Sequence, residues 1–194
     1  MFKELKPAIL MTIFFTVLTG LIYPLAITGI CQLAFPHAAN GSLVERNGNV
    51  IGSRLIAQPF TKAEYFHPRA SAAGDKGYDA TSSGGTNLAA TNPALAERLK
   101  KDAAAFRKEN PEFTGPIPAD AITTSASGLD PDISPANALA QAARVAAARH
   151  MPVEQMNELV RLHINGRALG FIGEPTVNVL DLNLALDATV PMGR

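Results

Sequence analysis

The chain has 194 residues, with 17 basic and 17 acidic side chains, so its formal net charge is zero. That balance excludes the basic footprint of a nucleic-acid-binding protein. A single cysteine, Cys31, excludes an intrachain disulfide or a cysteine metal cluster.

The N-terminal segment is the most distinctive. No Asp, Glu, Lys or Arg occurs from Pro7 to Val44, and Ile9 to Ile30 is nearly all apolar. A bilayer core of ~30 Å needs ~20 helical residues, which this run supplies. Its Ile, Leu, Phe and Val side chains sum to about −4 to −7 kcal/mol for insertion. The run is too long for a signal peptide, and "AFPHAAN" provides no small-residue cleavage pattern. Ile30 before Cys31 does not suit a lipoprotein anchor.

Residues 7–35 are therefore expected to form a membrane-spanning helix in contact with lipid, preceded by a short cytoplasmic N-terminus at 1–6. Lys3 and Lys6 precede the span and the next basic residue is Arg46. This bias predicts a single-pass topology with residues 36–194 outside the cytoplasm. Thr12, Thr16, Gly20, Pro24 and Thr28 recur at every fourth position. Such small residues allow a neighbouring helix to approach closely in lipid, so this face is the candidate intramembrane subunit contact. Pro24 predicts a kink.

Beyond the span, "GSLVERNGNVIGSRLIAQ" reads as a hairpin turning at Asn47-Gly48. The following stretch, Pro59 to Asn92, is rich in Gly, Ser and Ala and has no period. A helix is expected from Asn92-Pro93 to Asn110-Pro111, with the asparagine as cap. "FTGPIPADAITTSAS" reads as a turn and a strand. Ser134-Pro135 starts an alanine-rich helix broken at Met151-Pro152, and a shorter helix follows, closed by Asn165-Gly166. The segment after Pro175 fits either an alternating strand or a helix capped by Asn178. These elements predict an α+β fold, with one N-terminal transmembrane helix followed by a single mixed soluble domain.

Four features could carry chemistry. "SSGGTN" (Ser82 to Asn87) is glycine-rich but has no Walker lysine, which leaves a turning loop as its plainer reading. Asp130 and Asp132 offer too few oxygens for calcium and suit a turn before a helix cap. The histidines at 37, 67, 150 and 163 lack metal-ligand spacing. No Gly-x-Ser-x-Gly or Ser-x-x-Lys nucleophile pattern appears. Neither catalytic nor metal-ligating residues are expected.

The motifs "TGLIYPLAITGI", "QPF", "YFHPR", "SSGGTNLAATNPAL", "TTSASGLDPDISP" and "GEPTVNVLDLNLAL" occur in one order over nearly the whole chain. In this the sequence resembles the C subunits of the bacterial Kdp-type potassium-transporting ATPases. The resemblance implies a non-catalytic accessory subunit of a high-affinity potassium uptake complex in the bacterial inner membrane. Its implied partners are a channel-like potassium-translocating subunit, a P-type ATPase subunit and a small single-span subunit. It further implies a catalytic chaperone that raises the pump's affinity for ATP through the glycine loop. On this chain that loop would place Ser83, Gly84, Gly85 and Asn87 at the nucleotide, with ATP reached through the pump subunit and no other cofactor. Ser82 and Thr86 depart from the Leu-Ser-Gly-Gly-Gln signature, and Asp132 stands where the family pattern has a histidine. The topology conflicts with the chaperone role, because a loop outside the cytoplasm would not meet the pump's ATP.

Overall fold

A computed structural model describes residues 2–189. Met1 and residues 190–194, at the ends of the expected first and last segments, lie outside the described residues. The chain divides between Ile51 and Gly52 into two compact units.

In the first unit, Lys3–Ala34 forms one helix long and apolar enough to cross a membrane. It comprises α1 (Phe2–Val17), a π-helical segment (Leu18–Ile22) and α2 (Tyr23–Ala34). Just before Pro24, where a kink is expected, the chain makes this wide turn. Pro24 has no N–H, and in a regular α-helix its ring would press on the carbonyl four residues back. The Tyr23 N–H instead donates to the Leu18 carbonyl, five residues earlier. Positions four apart in an α-helix drift by ~40° per step, so Thr12 to Thr28 would spread over ~160°. One wide turn takes up an extra residue and reverses on the order of 100° of that drift. The Thr12 hydroxyl donates to the Ala8 carbonyl at 2.9 Å and Thr19 to Phe15 at 2.6 Å. Both polar groups are thereby satisfied within the helix, as a lipid environment requires.

A short turn, α3 (Pro36–Ala39), follows the span. The Asn40 side chain donates to the Pro36 carbonyl at 2.7 Å and meets the Gln32 amide at 3.3 Å. The hairpin is β1 (Leu43–Arg46) and β2 (Asn49–Ser53). Asn47 and Gly48 both have positive φ, 54° and 76°, as a type I′ turn demands.

The second unit contains α4 (Pro93–Glu109), α5 (Ala119–Ile122), β3 (Asp132–Ile133), α6 (Pro135–Ala148), α7 (Val153–Leu162), β4 (Ile164–Asn165), β5 (Thr176–Asn178) and α8 (Val179–Thr189). The strands form a small antiparallel sheet in the order β3-β5-β4. Asn92 caps α4 by accepting from the Ala94 N–H at 2.9 Å, and Ser134 caps α6 through Asn137 at 3.1 Å. Both readings of the C-terminal segment apply in part. Thr176–Asn178 is a strand, and the Asn178 side chain then caps α8 by accepting from the Asp181 N–H at 3.1 Å.

Two expectations are corrected. The segment read as a strand before Gly128 forms α5, because Asp120 there accepts from Ser134 N–H at 2.7 Å, Ser134 Oγ at 2.8 Å and Asn137 Nδ2 at 3.1 Å. The shorter helix ends at Leu162, not at Asn165-Gly166, because Ile164 and Asn165 pair with β5.

The core gathers Ala138, Ala142 and Val145 of α6, Met156 and Val160 of α7, Val177 of β5, and Leu182 and Leu186 of α8. Small alanines on α6 let its neighbours approach closely. From the irregular stretch between β2 and α4, Phe66 enters this cluster and is fully buried. Its backbone needs hydrogen-bond partners there, and side chains supply them. Asn183 Oδ1 accepts from the Phe66 N–H at 2.9 Å, and Asn183 Nδ2 donates to the Phe66 carbonyl at 3.0 Å. Gln141 does the same for His67, at 2.8 Å and 3.1 Å.

Arginines complete the attachment. Arg144 donates to the carbonyls of Ala63 and Tyr65 at 2.6 Å and 3.0 Å. Arg149 donates to the Glu64 carbonyl at 2.9 Å and pairs with Asp187 at 2.7 Å, its side chain only 1% exposed. Its guanidinium lies 4.8 Å from the centre of the Tyr65 ring. Arg149→Met should therefore remove the buried cation beside Asp187, which keeps its bond from the Tyr65 hydroxyl, and destabilise the protein by about 3–5 kcal/mol, measured as a shift of the urea unfolding midpoint.

Candidate functional site

The glycine loop lies against a second loop, residues 125–128. The Gly84 N–H donates to the Ser127 carbonyl at 2.8 Å, and Ser83 Oγ donates to the same carbonyl at 3.0 Å. Gly85 packs tightly there, since a Cβ would lie 3.1 Å from the Ala126 carbonyl oxygen. Gly128 closes the junction at a φ of 67°, where a Cβ would lie 2.6 Å from the Gly84 carbonyl oxygen and 2.7 Å from the Ala73 nitrogen. Asn87 has a φ of 51° and marks the exit of the loop. Ser71 ties in a third segment: its hydroxyl donates to the Gly128 carbonyl at 2.5 Å and accepts from the N–H groups of Ala73 and Tyr78 at 3.1 Å and 2.7 Å.

The structure thus places Ser83, Gly84 and Gly85 together against residues 125–128, with Asn87 farther along the loop. Asp130 and Asp132 are engaged structurally. Asp130 accepts from Arg69 Nη1 at 3.0 Å, and Asp132 accepts from Thr176 Oγ1 at 3.0 Å and Asn178 Nδ2 at 3.1 Å. Among the described residues, no group of three or more His, Cys, Asp or Glu side chains could hold a metal ion. Thr12, Thr16, Gly20, Pro24 and Thr28 all lie on the span, with Gly20 inside the π segment and open space where its Cβ would be.

Sequence reasoning missed a cleft of about 260 Å³ between the irregular stretch and helices α4, α5 and α6, lined by His67, Tyr78, Asp102, Glu109 and Gln141 among others. Burial pushes the Tyr78 phenol up to about 12, which keeps it neutral as it donates to the Arg69 carbonyl at 2.8 Å. Burial, followed by the charge of Arg144, holds His67 below its ordinary value of 6.5, against the opposing pull of the Lys62 carbonyl and Glu109. At neutral pH the imidazole is therefore uncharged, and its 3.5 Å approach to Glu109 is not an ion pair. One signal for this cleft was available in the sequence: Asn137 and Gln141 sit one turn apart on the buried face of an alanine-rich helix, linked at 3.0 Å.

A profile of the family described as "K+-transporting ATPase, c chain" (KdpC) matches residues 5–188. This chain belongs to that family. It is a KdpC-type subunit of a potassium-transporting ATPase complex. It is 56% identical to the potassium-transporting ATPase KdpC subunit of Koribacter versatilis, over 98% of this chain and 97% of that one. The KdpC subunit of Caulobacter vibrioides (strain NA1000 / CB15N) is 57% identical, covering 98% and 96% of the two chains. That of Mycobacterium bovis (strain BCG / Pasteur 1173P2) is 54% identical, covering 95% and 98%.

The junction geometry separates two neighbouring glycines. Gly84→Ala meets open space and should change stability by less than about 0.5 kcal/mol. Gly128→Ala forces both a strained φ and a backbone collision and should cost at least about 1–3 kcal/mol. Thermal unfolding of the two variants checks this difference.

A histidine held below its unfolded value releases its proton on folding. Its contribution is complete above the unfolded value of 6.5 and is lost as pH falls through the lower folded value. His67→Gln should therefore flatten the loss of stability on acidification below about pH 6.5, measured by urea titrations along a pH series.

Proposed function

We infer that this chain is a non-catalytic accessory subunit, one that stabilises the assembled potassium pump. Its span crosses the inner membrane with the N-terminus in the cytoplasm, and its second unit works outside. Its neighbours are the channel-like potassium-translocating subunit, the P-type ATPase subunit and the small single-span subunit. The face of Thr12, Thr16, Gly20, Pro24 and Thr28 is the docking face within the membrane, which the wide turn before Pro24 supports by limiting its angular spread.

One observation carries the reading of the glycine loop. The Ser83 hydroxyl and the Gly84 N–H, which a phosphate would need as donors, are both engaged by the Ser127 carbonyl. A nucleotide would have to displace that carbonyl before binding. This favours a structural junction over direct ATP contact, in line with the charge bias that places the loop outside the cytoplasm.

Topology in intact cells tests the proposal. Alkaline phosphatase fused after residue 194 should be active, and a reporter that works only in the cytoplasm should be silent. The reverse pattern would overturn the orientation. It would also bring forward the rival reading, in which Ser83, Gly84, Gly85 and Asn87 raise the pump's ATP affinity.

A further inference from the structure

Between β4 and β5 the chain makes a small closed turn. Ala168 and Ile172 exchange two backbone hydrogen bonds, each 2.9 Å long. Arg167 and Glu174 pair at 2.8 Å across its base. The tip carries Leu169 at 83% exposure, Phe171 at 72% and Ile172 at 51%. Scattered exposed apolar residues are ordinary, but three large ones on one turn form a patch.

Leu169 also has a φ of 53°. That conformation suits Gly or Asn and costs a bulky side chain about 1 kcal/mol or more. A leucine kept there, almost fully exposed, gains no burial within this chain to offset the strain. The turn is also pre-shaped by its backbone bonds and its ion pair, so ordering it on contact costs little.

We propose that this turn is a plug, seated in an apolar depression on another protein subunit of the ATPase. The proposal rests on the accessory-subunit reading and specifies one of its contacts. Charge decides between a protein and a lipid occupant. From Ile164 to Pro175 the ionic residues are Arg167 and Glu174, with no lysine. These two pair with each other, so the turn has no excess of basic charge. Segments that dip into an anionic bilayer surface carry an excess of basic residues around their apolar tip. An apolar centre with a balanced polar rim is instead the anatomy of a protein contact.

The test uses the full chain, co-expressed with the rest of the pump. A benzophenone side chain placed at position 171 should cross-link, on illumination of native membranes, to a different polypeptide of the complex. Adducts to lipid alone, to a second copy of this chain, or to nothing would each overturn the proposal. In parallel, the double variant L169N/F171S keeps a residue suited to positive φ at the first position and touches no core side chain. Its retention in the detergent-solubilised complex should weaken at least about tenfold, with its unfolding midpoint unchanged. Retention equal to that of the wild type would sink the plug while leaving the accessory reading standing. Failure of the wild-type chain itself to co-purify would sink both.

Discussion

The second unit depends on the need to satisfy the buried backbone of Phe66 and His67. Apolar burial draws Phe66 inward, but a chain without strand or helix partners cannot bury its N–H and C=O groups for free. Gln141 from α6 and Asn183 from α8 answer this by acting as single-residue strand partners, each amide both accepting and donating. Arg144 and Arg149 bind the carbonyls just before them. An irregular segment thus has its buried backbone groups satisfied by side chains, and it forms one wall of the cleft beside His67.

This construction also accounts for the polar groups in an otherwise alanine-rich helix. On α6 the apolar positions face α7 and the sheet, while Asn137, Gln141, Arg144 and Arg149 at its end turn towards the irregular stretch and its neighbours. The ionic groups used here are paired or hydrogen-bonded to carbonyls, which makes their burial tolerable. Removing either side of such a pair costs more than the pair contributes, so these positions constrain the fold more than their polarity suggests.

Much of the architecture was legible because it follows from local rules. Asn47-Gly48, Asn92-Pro93 and Ser134-Pro135 each fixed a turn or a helix start through the chemistry of adjacent residues. The span was legible from length and apolarity, and the proline effect from its missing N–H. What sequence reading missed depends on partners far along the chain. The strand expected before Gly128 became α5, where Asp120 binds the start of α6. β3 and β4, of two residues each, are too short to show a period. The glycine loop was visible as a loop, but nothing in "SSGGTN" reveals that its partner is the carbonyl of Ser127. Family membership came from motif order, not from periodicity.

The pairing of Phe66 with Asn183 spans 117 residues, and this has a consequence in time. On a ribosome adding ~5–20 residues per second, the partner of Phe66 is made about 6–23 s later. The part of the second unit that is synthesised early is therefore completed last, when α8 arrives. Until then Phe66, fully buried in the finished fold, and the backbone around it stay open to water, to chaperones or to the wrong neighbour. A truncation that removes α8 would leave the early residues without the side chain that closes them, far from the site of the damage.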